Sequence, residues 1–516
     1  MEQLSEQDAG FLYLETPETP QHVGGVSLVQ LPAGYDGDFF EDYRRHIASR
    51  MHLIPLMHRK LVAMPFDIDH PYWIEDDAVD IDYHIRQQTL PSPGRLSQLE
   101  ELVGRLHSNF LDRSRPLWEF YIIKGLENGQ VAIYTKIHHA AMDGGASGHL
   151  VATMYDPTPV PRQLPPAPAK HPHTEDRLSV PLALRGLAEH VVRSEIRALQ
   201  AVPDVLKALS RIALPDADTL KFDRPHLPPL RPPRTLFNVA ITSQRVYAAR
   251  SLPMARFKRI AKLADVKLND VVLAVCSAVL RGYLKDHGDL PKATLTAMVP
   301  VSLREAGDTT SSNQNAAMMC SLATDVADPV KRLAAIKVST SDQKKQLANL
   351  RDLLVPDLSL MGTAPVMRGV VDLYRRARLA DRLPPLANLP ISNVPGPPVP
   401  LYIAGARLLT MSPCSMPYHG QSLNITVESY CDALDFGLVA CRRTVPDLAE
   451  LADRLLPALD ELEAAVQRKF APAAAAATAA AGPTTKTGTA AAKAAPRKRN
   501  ANSSSKRMTP STAVKG

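Results

Sequence analysis

The chain has 516 residues, of which 45% are apolar, and it carries a formal net charge of +7. This length exceeds one ordinary hydrophobic core, so we expect two globular domains. The five cysteines show no CxxC or other metal-ligand spacing, which argues against a disulfide framework and favours a reducing compartment.

The start of the chain shows no basic segment followed by an apolar one, so we expect no secretory signal. The longest apolar run, residues 271–280, is too short to cross a bilayer. We therefore expect a cytoplasmic protein that is not secreted and has no transmembrane helix.

The positive charge is concentrated in residues 471–516, which contain eight Lys or Arg residues and no acid. The preceding 470 residues consequently carry a net charge of −1. This Ala- and Lys-rich tail has almost no large apolar side chain, so it cannot offset its ordering entropy and is expected to be disordered.

In the first part of the chain, apolar residues at helical spacing predict helices at 38–51 and 98–110. Two strands, residues 119–123 and 131–137, flank a Glu-Asn-Gly-Gln turn and so predict a hairpin. Residues 145–154, which begin at the double glycine after these strands, are predicted to be the start of a helix.

Residues 156–178 form a Pro-rich linker, because proline removes backbone donors and favours extended chain. Residues 179–214 are predicted to be helical, and residues 225–233 form a second Pro-rich stretch. The predicted organisation is therefore a first domain at 1–155, a linker and crossover helix at 156–233, a second domain at 234–470 and the tail at 471–516.

The second domain is also predicted to mix helices and strands. The predicted strands are residues 239–247, 295–300, 424–430 and 434–441, and the predicted helices are residues 253–263, 269–284, 328–346 and 447–469. Two α/β halves of similar size suggest a pseudo-duplicated architecture.

The motif His138-His139-Ala140-Ala141-Met142-Asp143-Gly144 lies between the second hairpin strand and the helix that follows. Histidine titrates near neutral pH and can take a proton from a hydroxyl. Asp143 can hold the loop or orient an imidazole, and Gly144 lets the backbone turn sharply. The motif predicts an active site at the end of this strand.

The HHxxxDG pattern resembles the signature of coenzyme-A-dependent acyltransferases related to chloramphenicol acetyltransferase, and it also occurs in condensation domains of peptide synthetases. The chain as a whole resembles bacterial wax ester synthase/diacylglycerol acyltransferases, in particular the actinobacterial diacylglycerol O-acyltransferases. The segments that carry this resemblance are residues 4–15, 22–25, 116–119, 268–274, 299–304 and 392–397. Residues 312–314, Ser-Asn-Gln, depart from the Gly-Asn of related enzymes.

The resemblance implies an α/β fold of two chloramphenicol-acetyltransferase-like domains with a tunnel at their interface. It implies O-acyl transfer from a long-chain acyl-CoA to diacylglycerol, which makes triacylglycerol, and also to fatty alcohols, which makes wax esters. Acyl-CoA is then a substrate, and no cofactor is expected. No covalent acyl-enzyme is needed, consistent with the missing GxSxG elbow.

The resemblance also assigns roles to residues of the motif. His139 is the general base, and His138 supports the loop or the channel wall. Asp143 is structural and pairs with a basic side chain, for which Arg304 is a candidate. Asn269 is either a donor to the oxyanion of the tetrahedral intermediate or the N-cap of the helix that it begins.

Three further segments have weaker assignments. Pro116, Leu117, Trp118 and Glu119 are predicted to line the acyl pocket, although core packing explains the tryptophan equally well. Residues 392–397 form a sharp turn with two prolines and a glycine. Residues 435–437, Asp-Phe-Gly, are expected to be structural.

Two alternatives to this acyltransferase remain open: a condensation enzyme that uses a carrier-protein thioester, and a non-catalytic protein that binds lipid droplets. A metal site formed by His138, His139, Asp143 and His149 is disfavoured, because adjacent histidines project differently. We expect peripheral association with a membrane or lipid droplet, to which the basic tail contributes if it contacts anionic lipid. The tail could also contact nucleic acid or be a solvated extension, but no specific nucleic acid is expected, and the oligomeric state is open.

Overall fold

The computed structural model describes residues 2–64, 70–142, 146–166, 232–302, 315–350 and 364–480. The chain divides into two compact units, Met1–Ala471 and Pro472–Gly516. All strands described below belong to the first unit.

The strands alternate with helices along most of the described chain. The strands are β1 (Glu2–Gln3), β2 (His22–Gln30), β3 (Arg59–Val62), β4 (Tyr72–Glu75), β5 (Ile85–Thr89), β6 (Trp118–Lys124), β7 (Val131–His138), β8 (Arg245–Pro253), β9 (Thr296–Ser302), β10 (Asn315–Ser321), β11 (Leu389–Val394), β12 (Tyr402–Ile403), β13 (Ala406–Cys414), β14 (Leu423–Tyr430) and β15 (Ala433–Cys441).

The helices range from one turn to seven turns. The helices are α1 (Glu6–Leu14), α2 (Phe39–Ala48), α3 (Ile81–His84), α4 (Leu96–His107), α5 (Ala146–Met154), α6 (Met254–Ala264), α7 (Leu268–Asp286), α8 (Pro329–Leu350), α9 (Ala364–Arg376), α10 (Leu448–Asp453) and α11 (Leu455–Ala480).

Two six-stranded mixed sheets form the framework of the first unit. The first has the order β12-β13-β2-β7-β6-β5, and the second has the order β10-β9-β11-β14-β15-β8. A small three-stranded sheet, β1-β4-β3, lies outside both. The predicted α/β class with two sheet-rich domains is therefore confirmed.

Most predicted elements are present within a few residues of their expected bounds, including the β6–β7 hairpin, α2, α4 to α8, β9, β14 and β15. The predicted closing helix is interrupted at Arg454, which separates α10 from α11, and α11 continues to Ala480, so residues 471–480 of the tail that was expected to be disordered are helical. The helix predicted at 179–214 lies outside the described residues. The sequence analysis did not predict α1, α3, α9, β1 to β5 or β10 to β13.

The strand predicted at 239–247 is wrong, because β8 begins only at Arg245. The backbone N–H groups of Ala240 and Ile241 are bound by side chains instead of a neighbouring strand. Asp381 Oδ1 accepts the first at 2.6 Å, and His419 Nδ1 accepts the second at 3.1 Å. An apolar alternation alone could not show that side chains take these donors.

The first sheet is built from both halves of the chain. Strand β13 pairs antiparallel with β2, from Leu408 opposite Val29 to Cys414 opposite Gly24. Residues 402–414 thus complete a sheet whose other strands lie before residue 139. The domain boundaries predicted at 155, 233 and 470 stay predictions.

Helix α4 connects the two sheets. Glu100 accepts the backbone N–H of Ala249 on β8 at 2.9 Å and pairs with Arg250 at 2.6 Å. Gly104 faces the same strand so closely that a Cβ would lie 2.9 Å from the carbonyl oxygen of Arg245. The contact between α4 and β8 therefore requires a glycine at position 104 and a carboxylate at position 100, one helical turn earlier.

A second connection lies between β13 and β15. The buried carboxylate of Asp435 accepts the N–H of Met411 at 2.6 Å. Two residues along β15, a Cβ on Gly437 would lie 1.7 Å from the carbonyl oxygen of Pro413. The Asp-Phe-Gly segment is therefore structural, as expected, because it holds the two sheets in contact.

Among the described helices, none combines the length and apolar character needed to cross a bilayer.

Replacement of Gly437 by Ala should destabilise the fold by about 2 kcal/mol or more, since the added methyl group must displace backbone atoms. We expect a lower midpoint of thermal unfolding measured by circular dichroism. Gly10→Ala is the matched control, because an added Cβ there meets nothing within 4 Å. Equal midpoints for Gly437→Ala and the native chain would contradict the inferred contact between β13 and β15.

Candidate functional site

The His-His motif lies at the end of β7, as the sequence predicts. Strand β7 is almost completely buried between β2 and β6, which fixes the position of its last residue. His138 donates its backbone N–H to Leu117 at 3.0 Å, and His139 donates its own to Gln21 at 2.8 Å. A 3₁₀ turn, His139–Ala141, follows directly.

The His138 side chain is buried and its tautomer is determined by two contacts. Nδ1 accepts the N–H of Ala140 at 3.1 Å, so this nitrogen carries no hydrogen. Nε2 then carries the hydrogen, and it lies 3.4 Å from Glu15 Oε1. Both ring nitrogens face protein groups, so the geometry suits a residue that supports the loop.

Glu15 lies just after the end of α1 and is surrounded by donors. Arg113 Nε donates to its carboxylate at 3.0 Å, and the N–H of Gln21 donates at 3.1 Å. Burial alone would raise the pKa of Glu15, but the contact with His138 and the charge of Arg113 outweigh it and hold this pKa at about 2. The carboxylate is therefore charged at neutral pH.

His139 has a different environment. Its ring stacks on Phe11 of α1, with the ring centroids 3.8 Å apart and the planes 20° apart. Its Nδ1 is buried without a hydrogen-bond partner among the described residues. Burial lowers the pKa of His139 to about 4, a contact with its own backbone carbonyl opposes this, and the neighbouring His138 ring lowers it further.

This environment keeps the imidazole of His139 neutral at pH 7. The described residues provide no carboxylate or hydroxyl hydrogen bond to its ring. A neutral imidazole can accept a proton from a bound hydroxyl. Such chemistry is what a general base requires.

Helix α1 forms the cover of this loop. Ser5 caps the helix by accepting the N–H of Asp8 at 3.1 Å. Leu12 and Leu117 pack in one buried cluster with Ala140 of the 3₁₀ turn. The segment 4–15 was noted in the sequence only for its resemblance, and the structure assigns it contacts with both histidines.

The tryptophan segment is part of the core beneath the loop. Trp118 is fully buried, stacks on His84 at 4.3 Å and donates Nε1–H to the carbonyl oxygen of Met57 at 3.0 Å. Pro116 and Leu117 are buried as well. These contacts are those of core packing, and the predicted acyl-pocket role of residues 116–119 stays a prediction.

Glu119 forms a buried ion pair in the first sheet. Its Oε2 lies 2.8 Å from the Nζ of Lys136, which is fully buried two residues before His138. Tyr121 donates its hydroxyl to the same carboxylate oxygen at 2.6 Å. A buried lysine is tolerable only with such a partner, so Glu119 stabilises the strand that carries the histidines.

Asn269 is not the N-cap of its helix, and that alternative is wrong. Helix α7 begins one residue earlier, with Lys267 as N-cap, and Asp270 accepts the N–H of Lys267 at 3.0 Å. Asn269 Oδ1 instead accepts a hydrogen bond from Asn393 Nδ2 at 3.3 Å. Two segments of the resemblance, 268–274 and 392–397, are thereby brought together.

No hydrogen bond joins Asn269 to His139 among the described residues, so its role as an oxyanion donor stays a prediction. A cavity of about 360 Å³ lies beside Asn393. Its lining includes Lys258, Leu268 and residues 395–398, but neither histidine of the motif. The segment after β11, residues 395–398, therefore lines a cavity of its own, and the turn predicted at 392–397 is wrong for residues 392–394, which belong to β11.

Several predicted site residues lie outside the described residues: Asp143, Gly144, Arg304 and residues 312–314. His149, the fourth member of the disfavoured metal site, donates its Nε2–H to the carbonyl oxygen of Leu53 at 2.8 Å. That nitrogen is therefore engaged by protein. The expectation that no metal is bound stays a prediction.

The ring of His139 should titrate with a midpoint near pH 4. Phe11→Ala removes the stacked ring, admits water and should move the midpoint upward towards the ordinary value near 6.5. The measurement is NMR of the imidazole signals between pH 3.5 and 8, with His139→Gln to assign the resonance, since Gln has no imidazole. A native midpoint near 6.5 would contradict the burial inferred for this ring.

Glu15→Gln should lower the free energy of unfolding at pH 7 by about 1–3 kcal/mol, because it removes the buried carboxylate that pairs with the part-exposed Arg113 and faces the buried His138. A lowered pKa stabilises the fold above the unfolded-state value, so this difference should stay constant down to about pH 4.5 and shrink towards pH 2. Denaturant titrations at several pH values measure it.

Glu18→Gln is the control for this substitution. Glu18 also pairs with an arginine, Arg375 at 3.2 Å, but the Glu18 side chain is 25% exposed, whereas that of Glu15 is 6% exposed. A partly exposed pair contributes little, so this variant should change the free energy by less than about 1 kcal/mol. Equal effects of the two substitutions would show that Glu15 has no special structural role.

Comparisons with known proteins show the family of the chain. The family model of the wax ester synthase/diacylglycerol acyltransferase catalytic domain matches residues 4–272, and that of the WS/DGAT C-terminal domain matches residues 311–463. The chain is 38% identical to the probable diacylglycerol O-acyltransferase tgs2 of Mycobacterium tuberculosis, over 90% of this chain and 100% of that protein. It is 34% identical to the O-acyltransferase WSD of Acinetobacter baylyi, over 91% and 98% of the two chains.

Solved structures give the same result. The wax ester synthase/diacylglycerol acyltransferase from Marinobacter aquaeolei VT8 is 30% identical, with a TM-score of 0.67 over 90% of this chain and 100% of that one. The first condensation domain of the CDA synthetase, at 16% identity, has a TM-score of 0.50 over 89% and 95% of the two chains and shares the fold. The chain therefore belongs to the wax ester synthase/diacylglycerol acyltransferase family.

Proposed function

We propose that this protein is an O-acyltransferase that moves a long-chain acyl group from acyl-CoA to the hydroxyl of diacylglycerol. Fatty alcohols are the second class of acceptor. The observation that carries the proposal is the neutral, stacked imidazole of His139 at the end of β7. The homologues, whose names include diacylglycerol O-acyltransferase and wax ester synthase, support the substrates.

In the proposed mechanism, His139 removes the proton from the acceptor hydroxyl as its oxygen attacks the thioester carbonyl. The tetrahedral intermediate then expels the coenzyme A thiolate, which takes the proton back from His139. General-base assistance of this kind is typically worth about 100- to 10,000-fold in rate. His138 and Glu15 hold the loop, and Asn269 remains a candidate donor to the oxyanion.

The substrates suggest where the protein works. Diacylglycerol and long-chain alcohols are nearly insoluble in water, so they must reach the enzyme from a membrane or a lipid droplet. We therefore propose a peripheral association with such a surface, to which the basic tail at 471–516 could add attraction towards anionic lipid.

The proposed function predicts acceptor-dependent release of coenzyme A thiol from palmitoyl-CoA. His139→Ala should lower this release by about 100- to 10,000-fold, because the base is removed. The assay uses diacylglycerol and then hexadecanol as acceptor, and their ratio identifies the preferred product. His287→Ala, a half-exposed histidine at the end of α7, is the control and should keep native activity.

Two results would contradict the proposal. If the pure, folded native protein releases no thiol with either acceptor, a carrier-protein thioester or a purely lipid-binding role becomes the better explanation. If His139→Ala keeps native turnover, another group is the base. Restored turnover on a phosphopantetheinyl carrier would then favour the condensation alternative.

A further inference from the structure

We propose that the outer face of helix α9 docks onto an anionic lipid surface and so places the His139 loop beside it. The inference rests on the proposed function, because it names the surface from which the lipid acceptor would arrive. It concerns a part of the molecule that no sequence motif identified. The outer face is defined here as Gly369, Val370, Leu373 and Arg376, which are exposed at helical spacing.

The inner face of α9 packs on the cover of the active site. Met367 packs against the cluster that contains Leu12 and Ala140. The guanidinium of Arg368 lies 5.3 Å from the centre of the Tyr13 ring, and Arg375 pairs with Glu18 at 3.2 Å. These contacts fix which side of the helix faces water.

The outer face is apolar although it is exposed. Val370 and Leu373 are 40% and 63% exposed, and Leu386, ten residues beyond the helix, is 66% exposed. Eleven large apolar side chains are exposed in the described part of the chain, and these three lie within 17 residues of sequence. Single exposed apolar side chains are common, but Val370 and Leu373 lie on adjacent turns of one helix and form an apolar stripe.

Positive charge surrounds the stripe. Residues 367–386 contain five arginines and two aspartates, and because Arg368 and Arg375 face inward, the three exposed arginines, Arg376, Arg378 and Arg382, exceed the aspartates by one charge. Both aspartates are bound by arginines, Asp372 by Arg375 and Arg376, and Asp381 by Arg378. The carboxylates are therefore compensated, and the segment presents a net positive surface.

A lipid surface fits this combination better than a protein partner does. Specific protein interfaces bury on the order of 1,000 Å² or more, which three apolar side chains cannot supply. An interfacial helix needs only an apolar stripe that enters the headgroup region and cations that contact anionic lipid, each worth about 1 kcal/mol. Long arginine side chains can extend to the headgroups while the leucines insert.

Helix α9 lies close to the catalytic histidine as well as to the proposed lipid surface. Helix α9 packs on α1, and Phe11 of α1 stacks on His139. One helix diameter of about 10 Å thus separates the docking face from the cover of the base. An acceptor leaving the bilayer here would need to cross little water.

The test is vesicle co-sedimentation of the full chain with a double variant, Val370→Ser and Leu373→Ser. The probe is phosphatidylcholine vesicles with about 30 mol% phosphatidylglycerol in about 0.1 M salt. We expect the partition coefficient of the variant to fall at least about fivefold, since two inserted side chains are lost. Leu96→Ser with Leu456→Ser is the matched control, because these residues are exposed to a similar degree elsewhere.

Activity distinguishes failure of docking from failure of the proposed function. Thiol release with butanol, a water-soluble acceptor, should be equal for the native chain and the variant, whereas release with diacylglycerol in vesicles should fall. Equal vesicle binding of the two proteins would overturn the docking inference and leave the acyltransferase intact. Loss of butanol-dependent release would also overturn it, since α9 would then act inside the site.

Two further outcomes complete the test. If the native chain sediments as a dimer and the variant as a monomer, the face joins two copies of the protein, and the lipid assignment is wrong. If no acceptor gives thiol release while vesicle binding still depends on Val370 and Leu373, the docking face stands and the proposed function fails. Unchanged unfolding midpoints by circular dichroism verify that the variants fold.

Discussion

The buried carboxylate of Glu15 is the interaction on which the active-site region depends. It accepts hydrogen bonds from Arg113 and from the backbone of Gln21, and it faces the protonated nitrogen of His138. Through it, the end of α1 is fastened to the end of β7. Once α1 is fixed, Phe11 is held against His139, and α9 has a surface to pack on. Removal of this one charge would leave the buried ring of His138 and the part-exposed guanidinium of Arg113 without their carboxylate.

The second half of the chain stabilises the site from a distance. Asp435 binds the backbone of Met411, and Gly437 allows Pro413 to approach β15, so the two sheets meet without a gap. The pair formed by Asn269 and Asn393 connects two segments that are far apart in sequence. These contacts explain why sequence resemblance extends over most of the chain although the histidines occupy only one strand end.

The sequence predicted the part of the site whose position depends on neighbouring residues in the chain. The apolar hairpin strands and the turn between them place His138 and His139 correctly, since each signal lies within a few residues. Helix α1 was missed because Phe11, Leu12, Tyr13 and Leu14 are consecutive and show no single apolar face. The partners of Glu15 could not be predicted, because Arg113 and His138 reach it only through the tertiary fold. For Trp118 the sequence left two interpretations open, a wall of the acyl pocket and core packing. The contacts of Trp118 in the structure are those of core packing.

The pairing of β2 with β13 has a consequence for biosynthesis. Strand β2 ends at Gln30, whereas β13 begins at Ala406. The edge of β2 that pairs with β13 therefore stays unpaired until about 380 further residues have been translated. At about 5–20 residues per second, the nascent chain presents this edge for roughly 20–75 seconds. An unpaired edge strand can recruit other chains, and glycines weaken a strand's ability to pair. Gly24 and Gly25, which lie in β2 opposite Cys414 and Pro413, weaken this edge while it is unpaired, and Gly24 cannot be replaced by a larger residue because a Cβ there would lie 1.7 Å from the carbonyl oxygen of Thr135.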